Sequence, residues 1–261
     1  MLVIRSEQMQ VFENLALATF ERSMVAHLRE FSPPLTATLS ETQLLDFVRF
    51  GISCAKQDGF TLQGPVRLYL ETMLLLGSKF SDDPQYPWAK TAIQTHEGGD
   101  EDELNRATRL YEHLMAYRAS VNGPEDSHTL AALRKLEHFA SSPILYRRDN
   151  LEDSLIADMA DVYPQKLQYV GEWAVRDLLK KGISTAAQVG LGAEVRSIVL
   201  VCVLMFAFGH ECVRDPLYPW IERTLVDPLI TGQDARARRL EAKAVTWLRH
   251  VNDYFGRSHQ V

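Results

Sequence analysis

The chain has 261 residues with a formal net charge of −6 at pH 7, and 46% of the residues are hydrophobic, which is typical of a packed globular protein. Because the charge is negative and Lys and Arg are scattered, the basic surface needed for a nucleic-acid backbone is excluded. Cys54, Cys202 and Cys212 are odd in number and lack metal-ligand spacing, which argues against a disulfide framework and a zinc site. Residues 1–7 show no export leader, so a cytoplasmic protein is expected.

The first predicted element is an amphipathic helix from about residue 7 to 31, because apolar side chains recur every three to five residues. This stripe comprises Met9, Phe12, Leu15, Phe20, Met24, Leu28 and Phe31. Pro33-Pro34 ends the helix. A second helix begins at Ser40, where Ser-x-x-Gln has the form of a capping box, and it ends at Gly59. Gly64-Pro65 opens a third helix.

An acidic segment, residues 97–103, leads into a further helix through Leu110, Leu114 and Tyr117. In one interpretation its carboxylates are a solvated helix start, favoured by the backbone dipole. In the other they form a patch for a basic protein partner, and its candidate residues are Glu97, Asp100, Glu101, Asp102 and Glu103. Both interpretations remain open.

The chain also contains an internal duplication, which predicts the architecture. Asp83-Pro84-Gln85-Tyr86-Pro87-Trp88 recurs in the second half as Asp215-Pro216-Leu217-Tyr218-Pro219-Trp220. Two upstream blocks, beginning at Gly51 and Ser23, recur from Gly182 and Ser154, at the same spacing to within a single inserted position. We therefore expect an all-α fold of two tandem, pseudo-symmetric helical repeats, 1–123 and 124–261, packed into one compact body. The turn at Asn122-Gly123-Pro124 marks the expected boundary.

The apolar run from Ile198 to Phe208 is too short for the roughly 20 residues of a membrane span. Its counterpart in the first copy predicts a helix. Three residues of that counterpart that look exposed, Arg67, Glu71 and Thr72, are replaced in the run by Val199, Val203 and Leu204. A helix that is apolar on every side is buried, so we expect it at the junction between the repeats, with a dimer or partner interface as the alternative.

The repeated Asp-Pro-x-Tyr-Pro-Trp element has a structural and a functional interpretation. Two prolines three residues apart force a non-helical connection, in which Asp83 and Asp215 accept backbone N–H bonds. Trp88 and Trp220 then open the next helix and bury their rings. We expect a fold-defining corner formed by Asp83, Pro84, Tyr86, Pro87, Trp88, Asp215, Pro216, Tyr218, Pro219 and Trp220. A pair of ligand-binding sites is the alternative.

The sequence contains none of the strong catalytic or cofactor-binding motifs, so no enzyme and no cofactor are expected. His96-Glu97 and His210-Glu211 lack the second His of a zinc protease. Cys212 aligns with Phe80, which predicts an inert buried thiol. A carboxylate site assembled from separate helices stays open as an alternative, with Glu71, Glu112, Asp158, Asp161 and Glu172 as its candidates.

The chain resembles a group of bacterial helical proteins associated with type VI secretion effectors. The resemblance is carried by Ile4-Arg5-Ser6-Glu7-Gln8-Met9, by the Gly51-Ile52 block and by the stretch from Gly77 through Phe80 and Asp83-Pro84 to Pro87-Trp88. It implies a non-enzymatic protein that binds a toxic effector, either an immunity protein or an adaptor that loads the effector for delivery. The net acidity favours a basic, nuclease-like toxin as the partner. The partner's identity, its binding surface and the oligomeric state are not indicated by the sequence.

Overall fold

The computed structural model describes residues 6–94, 102–141 and 146–258, and this part of the chain is all-helical. The helices are α1 (Ser6–Phe31), α2 (Pro33–Thr36), α3 (Glu41–Gln57), α4 (Gln63–Leu76), α5 (Pro87–Ile93), α6 (Glu103–Val121), α7 (Ser127–Ala140), α8 (Leu151–Val162), α9 (Pro164–Val170), α10 (Glu172–Gln188), α11 (Val195–Phe208), α12 (Pro219–Val226) and α13 (Gln233–Ser258). Short 3-10 helices lie at 80–82, 124–126, 148–150 and 212–214. No helix among the described residues is long and apolar enough to cross a bilayer.

The local signals at both ends of α3 are confirmed. The Ser40 hydroxyl accepts a hydrogen bond from the Gln43 N–H at 3.3 Å, and the Gln43 side chain accepts one from the Ser40 N–H at 2.9 Å. This reciprocal pair is a capping box. At the other end the chain reverses through Gly59, whose φ of 77° lies in the left-handed region.

Helix α1 ends at Phe31 as predicted, but Pro33 starts the short helix α2 instead of a loop. Proline is favoured at the first position of a helix because that position needs no N–H donor. The predicted apolar stripe of α1 is buried only in its second half, at Met24 and Leu28. Met9, Phe12 and Leu15 are exposed because no other element of the described chain covers the first half of the helix.

Corresponding elements recur in the same order along the chain. Helices α3 and α10 both have 17 residues and begin at Glu41 and Glu172. Helices α4 and α11 both have 14 residues and begin at Gln63 and Val195, so the offset between the corresponding helices is nearly constant. The 3-10 turn and the proline-initiated helix that follow α4 recur after α11. Helix α7 stands outside this series and packs against α13 and α8.

Glycine allows the closest helix crossing in each half. A Cβ atom on Gly51 of α3 would lie 2.2 Å from Leu70 Cδ2 of α4. A Cβ atom on Gly182 of α10 would lie 2.6 Å from Cys202 Sγ of α11. Both distances are shorter than a van der Waals contact, so these helix pairs approach closely only because the two positions carry no side chain.

The all-round burial predicted for α11 is largely confirmed. Val199 is fully buried, Leu204 is buried and Val203 is partly buried. The expectation that the helix fills the junction is wrong for most of its length, because α10 and α13 of its own half cover it. The exposed character assigned to Thr72 is also wrong, since this residue is fully buried and its hydroxyl donates to the Leu68 carbonyl at 2.8 Å.

One continuous core joins both halves of the chain. The short helix α2 packs against α13, and its counterpart α9 packs against α6. Helices α2 and α9 thus each contact the last long helix of the other half. The ends of α4 and α11 also lie next to each other at the junction.

Candidate functional site

The junction is formed where α4 and α11 end, at Gly77 and Gly209. Their φ angles of 101° and 97° lie in the region that favours glycine. A Cβ atom on Gly77 would lie only 2.7 Å from the Phe208 carbonyl oxygen, and one on Gly209 would lie 3.0 Å from the Leu76 carbonyl oxygen. The two backbones are therefore in direct contact, which a side chain at either glycine would prevent.

Asp83 and Asp215 connect the two halves at this point by matching hydrogen bonds. The Oδ1 atom of each carboxylate accepts an N–H within its own turn, from Gln85 or from Leu217, both at 2.8 Å. The Oδ2 atom reaches across the junction: Asp83 accepts the His210 N–H and Asp215 accepts the Ser78 N–H, both at 2.7 Å.

The two carboxylates are almost completely buried. The Ser78 hydroxyl adds a further hydrogen bond to Asp215. Burial raises the pKa of Asp215, while the bonds from Ser78 and Leu217 oppose that shift. The bonds within each turn were expected from the sequence. The bonds across the junction were not, because sequence does not show which donors another segment brings close.

The remaining motif residues pack inside the chain. Tyr86 and Tyr218 are buried, and their rings meet Tyr117 and Trp247 edge to face at centroid distances of 5.4 and 5.7 Å. Pro84, Trp88, Pro216, Pro219 and Trp220 are partly buried, and Pro87 is exposed. The motif tryptophans are thus less covered than expected, and the tyrosines contribute more of the buried aromatic surface.

The reactive groups considered in the sequence are dispersed. Cys212 is fully buried, and burial raises the pKa of its thiol well above the ordinary value. His210 Nδ1 lies 3.3 Å from Asp83 Oδ2 in the turn after α11. His96-Glu97 lies outside the described residues. No group of three or more metal-ligating side chains occurs in the described ranges.

The five candidate carboxylates are spread over four helices, with Asp158 and Asp161 both on α8, and they mostly have structural partners. Glu71 Oε1 contacts His27 Nε2 at 2.6 Å and Arg67 Nε at 2.9 Å. Asp158 accepts a hydrogen bond from the Tyr146 hydroxyl, Asp161 pairs with Lys135, Glu172 pairs with Arg176, and Glu112 is exposed. Asp158 and Asp161 share a shallow groove between α7 and α8.

Two of the five acidic partner-binding candidates are described, and both stabilise helix starts. Asp102 accepts the Leu104 N–H at 3.3 Å and caps α6. Glu103 Oε1 accepts the N–H groups of Thr61 and Leu62 just before α4, both at 2.8 Å. Glu97, Asp100 and Glu101 lie outside the described residues. For Asp102 and Glu103 the helix-start interpretation therefore accounts for the contacts.

A site missed in the sequence is the exposed apolar surface at the start of α1. We call it the α1 face, and it consists of Phe12, Leu15, Ala16, Thr19 and Phe20. These residues line a shallow groove of about 420 Å³ together with Ser23 and Gln63. Phe12 and Leu15 are each 60% exposed. Exposed apolar clusters of this kind mark interaction surfaces more often than isolated apolar residues do.

Glu103, the last residue of the acidic segment, lies near the α1 face. Glu103 binds the backbone of Thr61 and Leu62, and the next residue, Gln63, lines the groove. Leu62 is itself exposed. The geometry thus defines an all-helical protein whose halves are joined by buried hydrogen bonds, with an exposed apolar helix face near Glu103. No protein-family model, no curated protein and no solved structure matches the chain.

Proposed function

We propose that this chain is a non-enzymatic protein-binding module whose partner docks on the α1 face. The observation that carries the proposal is the exposure of Phe12 and Leu15 on a helix whose second half is firmly packed. Binding interfaces derive most of their energy from a few aromatic and large apolar side chains surrounded by polar residues. A helix presenting such side chains at a spacing of three to four residues suits a groove or helix of another protein.

The partner we propose is a toxic effector of a bacterial type VI secretion system, and the chain is its cytoplasmic immunity protein. The residues that resemble this group of proteins include Met9, which lies on α1 one turn before Phe12. A net charge of −6 and the acidic residues of the sequence from Glu97 to Glu103 favour a basic partner, such as a nuclease, by charge complementarity. The immunity protein would inhibit the toxin by covering its surface.

The test is co-purification with the product of the neighbouring gene, followed by a toxicity assay with and without this chain. We expect a stable complex and protection of the producing cells. Phe12→Asp/Leu15→Asp should abolish both, because two carboxylates would be desolvated in the interface. The matched control is Leu229→Asp, which alters an 89% exposed leucine in the turn after α12. Equal binding by both variants would contradict the proposed surface.

Deletion of the gene for this chain distinguishes the immunity role from the adaptor role. Loss of an immunity protein makes the toxin lethal to sibling cells. Loss of an adaptor leaves the cells healthy and abolishes effector delivery. Survival of the deletion strain with failed delivery would therefore assign the adaptor function and reject the immunity function.

We also propose that residues 1–123 and 124–261 are tandem pseudo-symmetric copies related by a two-fold axis through the junction. The proposal is supported by the order and spacing of the helices and by the reciprocal bonds of Asp83 and Asp215. The packing of α2 against α13 and of α9 against α6, each in the opposite half, also supports it. A two-fold rotation should superpose residues 33–93 on 164–226. A best superposition whose rotation departs clearly from a half-turn would contradict it.

A further inference from the structure

A cavity of about 170 Å³ lies at the junction and draws its walls from both halves. Its lining includes corresponding residues of the two halves, namely Leu35, Leu76, Tyr86, Lys166, Phe208 and Tyr218. An apolar cavity of roughly 150 Å³ is large enough to hold a benzene-sized molecule. Arg118 and Asp126, whose side chains are 36% and 39% exposed, also line the cavity, so it reaches the surface beside them.

Lys166 of α9 is the buried cation of this cavity. Its side chain is almost completely buried, and Nζ donates to the Phe206 carbonyl oxygen at 2.6 Å and to the Tyr86 hydroxyl at 3.5 Å. Nζ also lies 4.6 Å from the centroid of the Phe206 ring. An ammonium group has three donors, and these two hydrogen bonds leave one without an acceptor among the described residues.

No carboxylate of the described residues forms an ion pair with Lys166. Burial lowers the pKa of Lys166 to about 8, and the carboxylate of Asp83 opposes that shift. A buried cation without a counter-ion is costly, and proteins normally pair such a charge. The Phe206 carbonyl, near the end of α11, offsets only part of this cost through the negative end of the helix dipole.

The position of Lys166 is not required by the architecture. Pro164, which starts α9, corresponds to Pro33, which starts α2. The counterpart of Lys166 is therefore Leu35, which lines the same cavity from the other half. Leu35 shows that an apolar side chain satisfies the packing at this position. At this position one wall of the cavity thus carries a buried charge and the other wall carries an apolar side chain.

We propose that the cavity binds a small apolar carboxylic acid, whose carboxylate pairs with Lys166 and whose body packs against Tyr86, Phe208 and Tyr218. The carboxylate supplies the missing counter-ion and accepts the unused N–H. The aromatic walls favour a ring or a short branched chain over a sugar or a nucleotide. This site is separate from the α1 face and does not depend on the proposed effector binding.

Titration calorimetry on the full chain tests the proposal with benzoate as the probe and benzamide as its neutral isostere. We expect benzoate to bind at least tenfold more tightly than benzamide to the wild-type protein. Lys166→Met should reduce benzoate affinity at least tenfold and remove the preference over benzamide. Lys180→Met, which removes the charge of an exposed lysine on α10 that does not line the cavity, should retain benzoate affinity within about threefold.

The result on the wild-type protein is decisive even if Lys166→Met does not fold. Absence of benzoate binding at millimolar concentration overturns the proposal. Equal affinity for benzoate and benzamide also overturns it, since the charge of Lys166 would then play no part. Benzoate binding that survives Lys166→Met in a folded protein would assign the ligand to another place and overturn the site.

Discussion

The junction between the halves makes a quantitative prediction for Asp215→Ala. The substitution removes one carboxylate and leaves three donors without their partner: the Ser78 N–H, the Ser78 hydroxyl and the Leu217 N–H. All three hydrogen bonds are buried. A buried donor that loses its partner costs about 1–3 kcal/mol, although relaxation and water entry reduce the sum. Burial raises the pKa of Asp215, so the substitution also removes a desolvation cost, which offsets part of the lost stability. We therefore expect the free energy of unfolding to fall by about 3 kcal/mol.

The chain contains a matched control for this substitution. Asp227 also precedes a proline and accepts an N–H within its own turn, from Leu229 at 2.9 Å, but this bond is exposed and does not reach the other half. Asp227→Ala should cost about 0.5–1 kcal/mol. Urea unfolding of both variants, with the slope m unchanged, measures the difference. If Asp215→Ala lowered the free energy of unfolding no more than the control does, the role of Asp215 in joining the halves would be refuted.

Three further predictions follow from packing, titration and exposure. Gly51→Ala should destabilise the chain by about 2 kcal/mol, because the new methyl group meets Leu70. Gly256→Ala, at a helical site of α13 with no atom within 4 Å, should stabilise it by about 0.5 kcal/mol, and urea unfolding compares the two. Because the pKa of Lys166 is about 8 in the folded chain and about 10.4 in the unfolded one, the contribution of Lys166 to the free energy of unfolding should rise by about 3 kcal/mol between these pH values. Lys166→Met should abolish that rise, which is measured as the difference in unfolding free energy from the wild type at each pH. Phe12→Asp/Leu15→Asp should change the unfolding free energy by less than about 1 kcal/mol, and a larger loss in thermal unfolding would mean that the α1 face is covered.

Much of the fold follows from short-range signals in the sequence. The capping box at Ser40, the left-handed turn at Gly59 and the helix that spans the apolar run before Gly209 are confirmed. These signals are readable because a few consecutive residues determine the local hydrogen bonding. The all-helical class follows from them and from the helical period of the apolar residues.

The errors arose where burial depends on distant segments. Met9, Phe12 and Leu15 have the helical spacing of a core stripe, yet no helix of the described ranges packs over them. Thr72 looks polar and exposed, but a threonine hydroxyl satisfied by the carbonyl four residues earlier is easily buried in a helix. Periodicity identifies the face of a helix and does not identify what lies against it.

The candidate sites were harder to predict than the fold. The acidic residues attract attention by their charge, but Glu103 is engaged by the backbone of Thr61 and Leu62. Lys166 gives no sequence signal of its own, because lysine on a short helix is normally exposed. Only the comparison with Leu35 could have drawn attention to it, since a charge replaces an apolar residue at a corresponding position.

That comparison suggests where function resides in a chain whose halves show corresponding elements. Features shared by both halves, such as the glycines and aspartates of the junction, have contacts that the packing of the chain explains. A feature present in one half only is not required by the packing, because the corresponding part of the other half forms without it. The exposed start of α1 extends beyond the helix that α8 provides in the second half, and Lys166 has no charged counterpart. The exposed apolar area of the α1 face and the buried charge of Lys166 are not offset within the described part of the chain. A bound partner would offset the first cost, and a bound ligand would offset the second.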